Sequence, residues 1–90
     1  MEEKEFQLQI ITPQKVVYNE KVLGVTAPGK EGCLGILAHH APLLTSLKPG
    51  KVETRTPDTL IKTVVNVQGG FLETSRNKVD ILVDDAEIES

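Results

Sequence analysis

Ninety residues with 39% apolar and 26% charged side chains allow one hydrophobic core and exclude a disordered chain. The net charge of −3 sits in the tail, where Asp84, Asp85, Glu87 and Glu89 have no base among them. Without these four, nine acids face ten bases spread along the chain, which excludes the clustered basic face of a nucleic-acid binder.

The N-terminal Met1-Glu2-Glu3-Lys4-Glu5 is acidic and lacks the basic-then-apolar layout of a signal peptide. Phe6-Gln7-Leu8-Gln9-Ile10 alternates with period two and predicts a half-buried strand. Thr12-Pro13-Gln14 breaks it. Val16-Val17-Tyr18 and Val22 to Ala27 resume extended structure, with Asn19-Glu20 read as a turn or bulge between them. The next stretch, Pro28 to Leu44, holds three glycines, two prolines, both histidines and the only cysteine. So many backbone-special residues gather where the main chain turns repeatedly. A short strand is expected at Leu34 to Leu37, and Lys48-Pro49-Gly50 reads as a tight turn.

Lys51 to Arg55 is a polar alternating strand, Thr56-Pro57-Asp58-Thr59 a turn, and Leu60 to Val67 a longer β-branched strand. Gln68-Gly69-Gly70 interrupts it and suggests a bulge, a kink or the close approach of another backbone. Phe71 to Thr74 follows, then a turn at Ser75-Arg76-Asn77-Lys78 and a last strand at Val79 to Val83. Only the final residues, with Asp84 or Asp85 as N-cap, are placed to begin a vestigial helix, and the acids there read as a solvated tail. Phe6, Tyr18 and Phe71 are the only aromatics, so the core is aliphatic. Eight to ten short strands at regular spacing predict an all-β flattened sandwich or barrel, with residues 1–90 as one domain ordered over about 5–86. No apolar run approaches the roughly 20 residues that span a bilayer as a helix.

Cys33, His39 and His40 invite a metal or nucleophile reading. Zinc needs three or four ligands at set spacings, and there is no second cysteine. The expectation is therefore a structural or interface role, with His40 bonding loop backbone or touching a partner. Gly29 and Gly32 are not followed by the Gly-Lys-Ser/Thr of a phosphate loop, and they read as a hairpin tip carrying Lys30 and Glu31. No catalytic, metal-binding or cofactor-binding residue is assigned.

The run Ala27-Pro28-Gly29-x-Glu31-Gly32-x-Leu34-Gly35-Ile36-Leu37-x-x-His40-Ala41-Pro42-Leu43-Leu44-Thr45-x-Leu47-Lys48-Pro49-Gly50 resembles the epsilon subunit of the F-type ATP synthase, in its N-terminal β-sandwich domain. Ile11 to Lys15, Val17-Tyr18, Gln68 to Glu73 and Asn77 to Leu82 agree, so the resemblance runs over residues 5–86. It implies a ten-stranded sandwich in the rotating central stalk. That subunit is non-catalytic, needs no cofactor, and couples ion-driven rotation to ATP synthesis. It implies two partners, the gamma subunit and the c-subunit ring, with no nucleic acid, and a peripheral place on the cytoplasmic face of the bacterial inner membrane. In isolation the domain is expected to be monomeric. The resemblance puts Gly29, Lys30, Glu31, Gly32 and Cys33 against the ring, and His40, Ala41, Pro42, Leu43, Gly69 and Gly70 against gamma. Cys33 stands where the family has glutamate, and Ala38-His39 where it has Pro-Gly. The family continues into an inhibitory helical hairpin, whereas this sequence stops at Ser90, which reads either as a chain cut at the domain boundary or as a naturally short member, the acidic ending leaning slightly to the second. A lipoyl or biotinyl carrier, with its lysine at Lys30 or Lys78, is the alternative reading, followed by a small hydrolase or metal protein built on Cys33.

Overall fold

The computed structural model describes residues 4–57 and 62–89. The far half of the turn expected at Thr56 to Thr59, and the start of the strand expected at Leu60, lie outside the described residues. Eight strands follow in order: β1 (Phe6–Ile11), β2 (Val16–Val22), β3 (Gly24–Gly29), β4 (Gly32–Leu37), β5 (Leu43–Arg55), β6 (Lys62–Ser75), β7 (Lys78–Val83) and β8 (Ala86–Ile88). They hydrogen-bond in the order β2-β1-β7-β6-β5-β3-β4, with β8 on β6. Only the β1–β7 pairing is parallel among those described.

β5 and β6 are long, 13 and 14 residues, and both serve two layers. The first layer is β2-β1-β7 with the second half of β6 and the first half of β5. The second layer is β4-β3 with the second half of β5, the first half of β6, and β8. Eight strands thus supply ten strand segments, which reconciles the count with the ten-stranded expectation. Leu8, Ile10, Leu72 and Ile81 from the first layer meet Val25, Ile36, Val52, Val65 and Val67 from the second in one buried cluster.

The bend that makes two layers falls where the sequence suggests breaks. Lys48-Pro49-Gly50 is not a tight turn: the chain stays in β5, with Leu47 opposite Gly70 and Pro49 opposite Gln68. Gly69 (φ +102°) and Gly70 (φ +143°) bend β6 at the same level without ending it. The kink expected there is real, and so is the close approach. A Cβ on Gly70 would collide with Leu82 O and lie 2.8 Å from Val83 Cα, both on β7. Asn19-Glu20 is not a turn either; both pair with β1, opposite Gln9 and Leu8, and the chain breaks at Leu23 instead. The turn at Ser75 to Lys78 does form, with Arg76 and Asn77 both at positive φ, the signature of a two-residue hairpin loop.

The tail is a strand, not the start of a helix. A helix of so few residues cannot repay its nucleation, whereas Ala86, Glu87 and Ile88 find ready partners in Val67, Asn66 and Val65. Glu89 locks the end: its N–H donates to Val64 O at 2.8 Å, and its carboxylate meets Lys51 Nζ at 3.1 Å and Asn66 Nδ2 at 3.4 Å. The hydrogen bond from Lys51 above all, then that from Asn66 and the Lys51 charge, hold the Glu89 carboxyl below the usual 4.5. A depressed carboxyl contributes stability above its unfolded value and loses it as pH falls through the folded one. Amide protection in β8 is therefore expected to be flat from neutrality to about pH 5 and to fall below 4.5. Hydrogen exchange corrected for intrinsic rates checks this, and Glu89→Gln should remove the acid limb.

Candidate functional site

β3 and β4 form a hairpin closed by the pair Gly29–Gly32, with Lys30-Glu31 as its two-residue tip. Gly32 sits at φ +139° with open space where a Cβ would point, so the turn chooses glycine for backbone reasons alone. Gly29 is buried, whereas Lys30, Glu31, Gly32 and Cys33 are exposed. Lys30 N–H donates to Ser46 O at 3.0 Å, and Gly29 pairs with Leu47. Both contacts fasten the hairpin to β5 just before its bend. The five residues expected at the ring therefore form one projecting tip.

The opposite end of the sandwich carries the β4–β5 loop. His39 takes a positive φ of 62°, and Asn77 Oδ1 accepts its N–H at 2.8 Å. His40 Nδ1 lies 2.8 Å from Ala41 O, a contact that needs the proton on Nδ1. Thr74 Oγ1 donates to the same carbonyl at 2.7 Å. Ala41 and Pro42 are exposed, and Leu43 opens β5 opposite Thr74, partly buried. Gly69 and Gly70 are not part of this loop; they lie at the bend, and their missing side chains make room for β5 and β7 of the same chain.

Cys33 is about 13 Å of strand from Leu37 at the end of β4, and the His39 turn lies beyond it. No three His, Cys, Asp or Glu side chains converge to hold a metal among the described residues.

The structure adds a surface that the sequence reading missed. On the outer face of the first layer, Leu44 (67% exposed), Phe71 (53%) and Leu82 (45%) stand on β5, β6 and β7. Phe71 lies opposite Leu82, and Leu82 beside Ile11 of β1, which in turn faces Val16 of β2 (52% exposed). An apolar stripe thus crosses all five strands of this layer. Each member belongs to an apolar doublet: Ile10-Ile11, Val16-Val17, Leu43-Leu44, Phe71-Leu72, Ile81-Leu82. A strand with apolar residues at both parities has two apolar faces, and this is the signal that marks the stripe in the sequence. Ser46 joins the two surfaces, since it stands opposite Phe71 while its carbonyl holds Lys30. Stripe and hairpin therefore meet at one corner of the molecule.

Residues 5–89 match the family model described as ATP synthase, Delta/Epsilon chain, beta-sandwich domain. The chain is 45% identical over 87 residues to the ATP synthase epsilon chain of Pelotomaculum thermopropionicum, covering 97% of this chain and 63% of that one. It is 42% identical over 83 residues to the epsilon chain of Chlorobium limicola, covering 92% and 93%. In space it superposes, with a TM-score of 0.87 and 26% identity, on a chain of the Euglena gracilis mitochondrial ATP synthase OSCP/F1/c-ring assembly, over 93% of this chain and 53% of that one. The chain spans about three fifths of the length of the first curated relatives it matches. These matches do not favour the lipoyl or biotinyl carrier reading.

Proposed function

This chain belongs to the ATP synthase delta/epsilon β-sandwich family, and we propose from that membership that it is a non-catalytic central-stalk subunit of an F-type ATP synthase. It packs on the gamma subunit and on the c-subunit ring, and it passes ion-driven rotation toward the catalytic head. The observation that carries this reading is the corner at Ser46, where an apolar sheet face meets a polar projecting hairpin. The apolar stripe through Leu44, Phe71 and Leu82 takes gamma, together with His40, Ala41, Pro42 and Leu43 at its margin. Gly69 and Gly70 shape the bend behind it. The tip formed by Gly29, Lys30, Glu31, Gly32 and Cys33 rests on the polar loops of the ring. Glu31 supplies the carboxylate there, because Cys33 occupies the place where the family carries a glutamate.

Stiffness is the mechanism. A close-packed core transmits force without deforming. Here β5 and β6 also run unbroken through both layers, so the layers cannot slide past each other without breaking the ladder these two strands share. The subunit is peripheral to the membrane and held there by the complex; the bacterial relatives support the cytoplasmic face of the inner membrane. Residues 1–90 act as a single unit in this reading.

Co-expression with the gamma subunit of the same organism tests the reading. The expected result is a stable one-to-one complex through size-exclusion chromatography. A folded chain that elutes alone at micromolar concentrations of both partners would refute it.

A further inference from the structure

β4 ends the strand order, so only one of its sides is paired, with β3. What its other side offers follows from the hairpin. Gly29 and Gly32 close a two-residue loop, and the closing pair of such a loop exchanges hydrogen bonds. Bonded and non-bonded pairs alternate along an antiparallel ladder. The bonded pairs are therefore Gly29–Gly32, Ala27–Leu34 and Val25–Ile36. Pro28, which has no N–H, falls at a non-bonded pair with Cys33, as this phase requires. Cys33, Gly35 and Leu37 thus turn their N–H and C=O groups away from β3, and no other strand meets them among the described residues. All three residues are exposed. Such an edge accepts any extended chain, and sheets commonly guard it with charge or proline. β2, at the other end of the strand order, carries Glu20 and Lys21, and β8 carries Glu87. No residue of β4 from Gly32 to Leu37 is charged or proline.

We propose that β4 pairs with β4 of a second copy of this chain, antiparallel about a twofold axis at Gly35. In that register Gly35 stands opposite Gly35, and Cys33 opposite Leu37. Both backbone groups of all three residues are then bonded. An axis at Leu34 leaves Leu37 beyond the paired strand, and an axis at Ile36 leaves Cys33 beyond it. A twofold axis also sets the central residues of an edge against their own copies, so a charge there meets a like charge and repels. β4 has none. The nearest carboxylate, Glu31, falls level with the His39 turn of the other copy and about 26 Å along the strand from its own counterpart. Leu37, 62% exposed, gains Cys33 of the other copy beside it on the outer face. The contact is small, in the range of transient encounters. The chain is therefore a monomer when dilute and pairs reversibly as its concentration rises. The stripe through Leu44, Phe71 and Leu82 lies on the other layer and stays open, so the pairing stands apart from the gamma reading.

Thiol trapping reads the register. With Cys33→Ser removing the native thiol, Gly35→Cys puts two cysteines at the central bonded pair, where Cα atoms about 5.5 Å apart suit a disulfide. The added Cβ meets nothing within 4 Å in its own chain. Under oxidised glutathione this variant is expected to form covalent dimer at least about 10-fold faster than Thr26→Cys in the same background, an exposed thiol on the same outer face. Leu37→Cys with the native Cys33 should cross-link alike. The wild type should not, since its two Cys33 residues stand about 13 Å apart along the strand. Sedimentation velocity reads the association itself. The wild type is expected to pass from monomer at about 10 μM toward dimer near 1 mM. Gly35→Pro, which loses an outward N–H but no bond to β3, should stay monomeric over that range. Should Gly35→Pro misfold, the thiol variants decide. A wild type still monomeric at the top of that range would overturn the pairing. So would a Gly35→Cys variant that cross-links no faster than Thr26→Cys. Neither result touches the gamma reading.

Discussion

Gly70→Ala is expected to destabilise the fold by about 3–5 kcal/mol, the sum of a left-handed backbone strain and a forced backbone shift. For a chain of this size that is roughly half of a typical total stability. The new Cβ would collide with Leu82 O and stand 2.8 Å from Val83 Cα and 2.9 Å from its Cγ1. Two of these three atoms are backbone, so no rotamer change relieves the clash. φ at +143° adds a penalty that any L side chain meets. The position also couples both layers, because β6 bends there to leave one sheet and enter the other. Moving β7 away would open the core around Leu72 and Ile81, both fully buried. A thermal melt followed by circular dichroism should fall by roughly 15–30 °C. Gly35→Ala is the matched control. Its Cβ would meet nothing within 4 Å, so its midpoint should move by no more than a few degrees, as for an ordinary surface change. If the two variants melt together, β7 does not approach Gly70 as closely as described.

The same residues show what can be read from sequence and what cannot. Alternation in Phe6 to Ile10 and the turn at Arg76-Asn77 are local signals, and both elements formed where the pattern put them. Pro49-Gly50 is also a local turn signal, yet β5 bends there without ending. The competing force is long-range: Pro49 finds Gln68 across the ladder, and the bend of β6 at Gly69-Gly70 matches the bend of β5. Local turn chemistry was outweighed by a tertiary pairing that no window around Pro49 contains. The acidic tail misled in the same way, since Ala86 to Ile88 become a strand only because β6 offers an open edge. The hairpin tip at Lys30-Glu31 was legible, because glycines on either side of two polar residues specify it. The apolar stripe was not read, because in a doublet such as Phe71-Leu72 or Ile81-Leu82 composition does not say which member turns inward. Register decides it, and register is set by neighbouring strands.

Phe71→Ala is expected to weaken gamma binding by about 2–4 kcal/mol, roughly 30-fold to 1,000-fold, as for a central aromatic anchor of an interface. The free subunit should hardly notice. Phe71 is 53% exposed, so truncation removes little buried area and leaves no closed cavity, and a stability change within about 1 kcal/mol is expected. The disparity between the two numbers is the diagnostic feature, because a residue held for folding shows the reverse. Leu82→Ala should behave alike and more weakly, since it stands opposite Phe71 in the same stripe. Leu37→Ala separates a specific face from general stickiness. Leu37 is 62% exposed but lies on β4, in the other layer, so its loss should leave gamma affinity within about twofold of wild type. Equal losses from Leu37→Ala and Phe71→Ala would mean that gamma does not select the five-strand face. The Ser46 corner would then join the hairpin to a surface that bears no load, and the torque path would have to run through the second layer.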